Sequence, residues 1–179
     1  MGYWNTRGLR GNELEEMINA TNDLYRQKKL AVVQKIPTPI KPITIDKEKR
    51  VITLAYFEQK STVDYIGVVQ DIAICFDAKE TTKTFLPINN IHPHQIAFMK
   101  DFKKQGGEAF LVVYFKTFGE YYFMDIDTLS NYYEKALAGG RKSIAYTQFD
   151  KHYLIPIEGG MYIHYLKALD YYLNATQNV

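Results

Sequence analysis

The sequence predicts an α/β domain: a mixed central β-sheet flanked by helices, with one hairpin protruding from it. Three observations carry that expectation. Apolar residues recur at helical spacing near the amino terminus and again in three later segments. Between them lie paired short runs rich in Val, Ile, Phe and Tyr. Three prolines at 37, 39 and 42 then force extended chain ahead of a charged tip.

Taken in order, Asn12 to Lys28 reads as an amphipathic helix, with Leu14, Met17, Ile18, Thr21, Leu24 and Tyr25 on one face. Asn12 followed by Glu15 has the form of a capping box. Leu30 to Lys35 is a short strand. Ile43–Ile45 and Val51–Phe57 flank the run Asp46-Lys47-Glu48-Lys49-Arg50, a hairpin pattern. Asp64–Val69 and Ile72–Lys79 are consecutive strands turning at Gln70-Asp71, which is not among the strong hairpin dipeptides. His92–Gln105 reads as a helix, with Pro93 at its start and Gly106-Gly107 at its stop. Ala109–Phe115 and Tyr121–Ile126 form another strand pair. Asp127–Ala138 and Met161–Leu173 are helical.

A chain of 179 residues, 46% hydrophobic and 23% charged, suits one globular domain, here 1–179 with the projection inserted at about 36–56. No apolar run is long enough to span a bilayer, and Met1–Arg10 has no apolar stretch of a secretion signal, so no membrane partner is expected. Cys75 is the only cysteine, which excludes an internal disulfide and suits a reducing cytoplasm. The net charge is +2, yet residues 1–60 carry eleven Lys/Arg against seven Asp/Glu. A basic arm beside an acidic pocket suits a nuclease, although on charge alone a scatter of solvated charges is the favoured reading.

The chemistry concentrates in Thr62-Val63-Asp64 and Asp77-Ala78-Lys79. A turn at Gln70-Asp71 sets Val69 opposite Ile72, and hence Asp64 opposite Asp77 and Thr62 opposite Lys79. Directly opposed residues share a face, with Cβ atoms ~5 Å apart, and alternation along the strand keeps Asp77 and Lys79 together. Two opposed carboxylates repel unless a cation lies between them. Magnesium prefers oxygen donors and needs only one or two protein carboxylates. Bound metal activates water for phosphodiester hydrolysis, and a neighbouring lysine stabilises the charge that develops on phosphorus oxygens. A charged, exposed hairpin face would show the same spacing, so the triplet alone decides nothing.

Asp64…Asp77-Ala78-Lys79 resembles the PD-(D/E)xK nuclease core, and the chain more closely resembles RecU-type Holliday junction resolvases. The resemblance runs through Asn5-Thr6-Arg7-Gly8, Glu13–Asn22, Pro37-Thr38-Pro39, Ala55-Tyr56-Phe57, Ser61–Tyr65, Ala78-Lys79-Glu80, His94-Gln95-Ile96 and Gly140–Ile144. It implies a restriction-endonuclease-like fold and a homodimer that nicks symmetry-related strands of a four-way DNA junction, in recombination and repair, with Mg2+, or Mn2+ in its place. It implies metal ligation by Thr62, Asp64, Asp77 and Gln95 and transition-state stabilisation by Lys79. It also implies that Ile36–Tyr56 is the stalk reaching into the junction centre. Asp77 stands where the family usually has Glu, one methylene longer, and the chain begins almost at the Asn-Thr-Arg-Gly segment.

Other residues carry two readings each. Glu15 either projects from the first helix toward the metal, behind its ligands, or is simply the capping-box acid. Arg7, Arg10, Lys35, Lys47, Lys49, Arg50, Arg141 and Lys142 are candidate phosphate contacts or solvated charges, the last two in a mobile loop after Gly139-Gly140. Tyr56 and Phe57 are candidate base-stacking residues, of which one at most is expected to be free. The alternative functions are a junction-binding modulator of the recombinase, touching it and cutting weakly or not at all, and a nuclease of the same core acting on other DNA.

Overall fold

A computed structural model of the chain describes residues 13–57 and 62–177. The first helix, α1 (Glu13–Gln27), buries Leu14, Ile18, Thr21, Asn22 and Tyr25, the stripe that helical spacing requires. Glu13, Glu15 and Glu16 lie in its first turn, where the helix dipole favours acids. Asn12, Arg7, Arg10 and Ser61 lie outside the described residues.

The central sheet has five strands: β1 (Val32–Lys35), β4 (Tyr65–Val69), β5 (Ile72–Thr81), β7 (Glu108–Phe115) and β8 (Glu120–Asp125). They are ordered β1-β4-β5-β7-β8, and only β5 and β7 run parallel. Between β5 and β7 lie the short β6 (Phe85–Pro87) and α2 (Pro93–Lys104), which supply the crossover that a parallel pair needs. After β8 come α3 (Ile126–Leu137), the short β9 (Ser143–Ala145) and α4 (Tyr165–Gln177).

Both faces of the sheet are covered. On one, α1 and α4 pack on Tyr65, Ile74, Phe76, Phe110 and Val112. On the other, α2 and α3 pack on Cys75, Leu111 and Val113. β7 is therefore buried on both sides, which is why Ala109–Phe115 reads as an unbroken apolar run rather than an alternating one. The expected mixed sheet between helices is thus found, with boundaries shifted by a residue or two except at α4, which starts and ends four residues later than read.

Two features were not anticipated. β6 and β9 pair antiparallel as a small second sheet, so Ser143 belongs to a strand and only Arg141 and Lys142 remain in the exposed segment before it. Three-residue strands leave too little alternation to read. The second feature is the exposure of the hairpin formed by β2 (Ile40–Asp46) and β3 (Val51–Phe57). Its strands form a sheet of their own, and among the described residues no helix packs on either face, so Tyr56 and Phe57 are 48% and 75% exposed. The expectation that one of this pair would be buried is corrected: a hairpin standing off the body has no core to bury it in.

The β4–β5 turn sets the register. Gln70 and Asp71 both take positive φ, 45° and 72°, the backbone of a two-residue primed turn even though neither residue is glycine. Val69 pairs with Ile72 and Tyr65 with Phe76, the register read from the sequence.

Candidate active site at the carboxyl end of β5

Continuing that register one residue beyond β4 brings Asp64 beside Asp77, and the two clasp each other. The Asp64 N–H donates to Asp77 Oδ1 at 2.8 Å, and the Ala78 N–H donates to Asp64 Oδ2 at 2.9 Å. Lys79 Nζ donates to Asp77 Oδ2 at 2.9 Å. From the outer strand side, the Ile36 N–H donates to the Asp64 carbonyl at 2.8 Å, so the residue preceding β4 is fixed through its backbone as well.

Burial separates this arrangement from a solvated charged face. Asp77 is fully buried, and the Lys79 side chain is 15% exposed. Helix α2 covers the face of β5 that carries Cys75, Asp77 and Lys79. Burial and then the Asp77 carboxylate push the Asp64 carboxyl up to about 6, while Lys79 and the Ala78 N–H pull the other way and Glu15 adds a smaller upward push. The Cys75 thiol, on the same face, is pushed up to about 12, by burial first and the Asp77 carboxylate second, which keeps it an inert thiol.

The donor set suits a hard cation. An ionised carboxylate has about four acceptor positions, so the three bonds above leave room on both groups. Among the described residues no cluster of three or more His, Cys, Asp or Glu could hold a metal. A cation here would rest on two carboxylates, neutral oxygens and water, which is the magnesium pattern.

The other candidate site residues lie on several elements. Gln95 is buried at the third position of α2, on the helix face that packs against the sheet, and its Oε1 accepts from the His92 N–H at 3.1 Å. Thr62 is exposed just ahead of Asp64, outside the paired residues. Lys35 Nζ donates to Glu15 Oε2 at 2.5 Å, which places the lysine beside an acid at the border of the site. Lys47 and Arg50 sit exposed at the hairpin tip, and Lys49 there lies 3.8 Å from Asp46. Arg141 is exposed and donates to Ser143 Oγ at 3.0 Å, beside exposed Lys142.

Two supports were not read from the sequence. The Ala78 backbone N–H leaves no trace in residue identities. Tyr65 donates to the Glu15 carbonyl at 3.3 Å and to Asn19 Oδ1 at 3.0 Å, tying α1 to the strand immediately after Asp64. A tyrosine adjoining the acid was the one signal available for it.

Fold and site together define an α/β protein with a buried aspartate and a partly buried lysine in the carboxyl-terminal half of a central strand, facing a partly buried aspartate that precedes the neighbouring strand. The chain belongs to the family Recombination protein U (RecU), which it matches over residues 9–171. It is similar to the Holliday junction resolvase RecU of Geobacillus kaustophilus, 42% identical over 90% of this chain and 83% of that one. The Holliday junction resolvase RecU of Oenococcus oeni is 48% identical over 78% of this chain and 73% of the relative. Among solved structures, the chain is similar to Hjc of Archaeoglobus fulgidus, a Holliday junction resolvase from an archaeal hyperthermophile. That likeness has a TM-score of 0.36 at 9% identity, over 62% of this chain and 77% of that one.

Proposed function

We propose that this protein is an endonuclease that resolves four-way DNA junctions by paired, symmetric nicks, and that it works with magnesium. The observation that carries the reading is the reciprocal Asp64–Asp77 clasp with Lys79 bonded to it, in a chain of the RecU family.

Asp64 and Asp77 would hold the metal, with Thr62 and Gln95 as neutral oxygen donors. When bound, such a cation lowers the pKa of a coordinated water and polarises the phosphoryl oxygen. The chain's own groups do the rest. Lys79 sits beside Asp77, where its ammonium offsets charge gathering on the phosphoryl oxygens. The Ala78 and Asp64 N–H groups hold both carboxylates in orientation, so little reorganisation is needed at the moment of reaction. Glu15, through Lys35, sets the charge at the outer border of the site.

Each chain supplies one such site, so two symmetric cuts call for a homodimer with twofold symmetry. The protruding β2–β3 hairpin, basic at its tip and aromatic at its base, suits the open centre of a junction, where bases are less fully stacked. Contacts with phosphates supply the bulk of affinity and little sequence choice. The test is cleavage of a labelled four-way junction against a linear duplex of matched sequence, with magnesium or with chelator. Paired nicks confined to the junction and requiring metal are expected. Equal cutting of both substrates would point to a nuclease with another substrate. Tight junction binding without scission in magnesium or manganese would leave the recombinase-modulating reading instead.

A further inference from the structure

The end of the sheet that carries the clasp also carries an aromatic ledge that the proposed chemistry does not use. Phe118, in the turn between β7 and β8, lies with its ring stacked on Tyr146 at a centroid separation of 3.8 Å and 22° between planes. The outer ring is 40% exposed. The inner ring is held from several sides. Tyr146 donates to Glu120 Oε2 at 2.6 Å, Lys151 Nζ lies 4.6 Å from its centroid, and Phe115 meets it edge-on.

A lysine stands on the adjoining loop. Thr117 Oγ1 donates to the Thr82 carbonyl at 2.6 Å, which joins the Phe118 turn to the loop holding Lys83. That loop is pinned again by the Lys83 N–H on Thr81 Oγ1 at 3.1 Å and by the Tyr146 N–H on the Thr84 carbonyl at 3.0 Å. The Lys83 ammonium is 5.3 Å from the Phe85 ring, and among the described residues no carboxylate pairs with it. Asp77, Lys79 and Thr81 point to one face of β5, and Thr81 pairs with Phe115. The step from Asp77 to Thr81 is ~13 Å at the rise of a strand, about four base steps at ~3.4 Å each.

An exposed aromatic face on a fixed support, beside an unpaired cation, is what an unstacked base and its phosphate require. We propose that the Phe118–Tyr146 ledge, with Lys83 beside it, receives one unstacked nucleobase and its phosphate from the strand leaving the catalytic carboxylates. This rests on the reading of the protein as a junction endonuclease. Phe118 acts by positioning DNA and touches no reacting group.

The experiment uses the full chain bound to a four-way junction in chelator, with thymines placed within six nucleotides of the cut and probed by permanganate, which oxidises unstacked thymine. One thymine shielded in the wild-type complex is expected to become reactive with Phe118→Ala and shielded again with Phe118→Tyr. Junction affinity is expected to fall roughly tenfold with Phe118→Ala. Lys83→Ala is expected to lower the salt dependence of binding by about one counterion. Thermal midpoints of Phe118→Tyr and Lys83→Ala should match the wild type, while Phe118→Ala, which loses the stack on Tyr146, should melt a few degrees lower and still bind as a folded chain. An unchanged footprint and affinity in Phe118→Ala, with junction cutting intact in magnesium, would overturn the ledge alone. Wild-type protein that neither binds nor cuts the junction would overturn the junction reading and the ledge with it.

Discussion

Lys79 and Asp77 form a nearly buried ion pair, and the buried member cannot fall back on water. Lys79→Ala should therefore cost about 3 kcal/mol of stability in chelator, because it leaves a buried carboxylate uncompensated. Added magnesium should recover part of that loss while cleavage stays down by about a hundredfold or more. Paired denaturation curves with and without metal separate the two effects. Asp64 makes a second prediction. Its folded pKa, about 6, lies above its ordinary value of 3.8, raised by burial and then by the Asp77 carboxylate. The protonated form is thus favoured in the folded state, and the stability this gives is present below about pH 4 and lost as pH rises through 6. In chelator, the stability of wild type relative to Asp64→Asn should fall across that window. A difference that stays flat from pH 4 to 7 would contradict the assignment. The identities of Asp64, Asp77 and Lys79 could be read from spacing. Their burial could not, because it comes from α2 closing over a strand face that by alternation alone looks polar.

At the scale of elements, the site depends on a turn of two residues. Gln70-Asp71 adopts a backbone in which a side chain costs roughly 1–2 kcal/mol per residue. Asp71→Gly should raise the thermal midpoint and leave cleavage unchanged. Inserting one residue there should move Asp64 to the opposite face from Asp77 and abolish cleavage in a chain that still folds. The register was legible because Val69 and Ile72 bracket the only break in two apolar runs. The hairpin's existence was legible too, from the prolines and the charged tip. Its freedom from the body was not, since Tyr56 and Phe57 look like core residues until one sees that no layer among the described residues reaches them. Replacing Lys47–Arg50 by a two-residue Asn-Gly turn should leave the melting midpoint within a degree or two and reduce discrimination between junction and linear duplex.

For the molecule as a whole, the sheet covered on both faces makes a rigid frame, and the open elements are where DNA would be met. The hairpin leaves one side of the body, and the small β6–β9 sheet with its flanking cations lies beyond the carboxyl end of β5. Among the described residues no helix is long and apolar enough to cross a membrane. The mixed sheet was legible from the alternation of strand pairs and helices. The β6–β9 pair, which brings Tyr146 beside Phe118, was not, because its strands are shorter than the alternation that reveals one.

In the proposed mechanism Asp64 and Asp77 together hold the metal with which the protein cuts a junction. The most direct measurement is single-turnover cleavage of a labelled four-way junction by wild type and Asp77→Asn in magnesium, with junction affinity measured in parallel in calcium. Paired nicks by wild type are expected, none by the variant, and affinities within a few-fold of each other. A variant that still nicks the junction at more than about a tenth of the wild-type rate would contradict that mechanism.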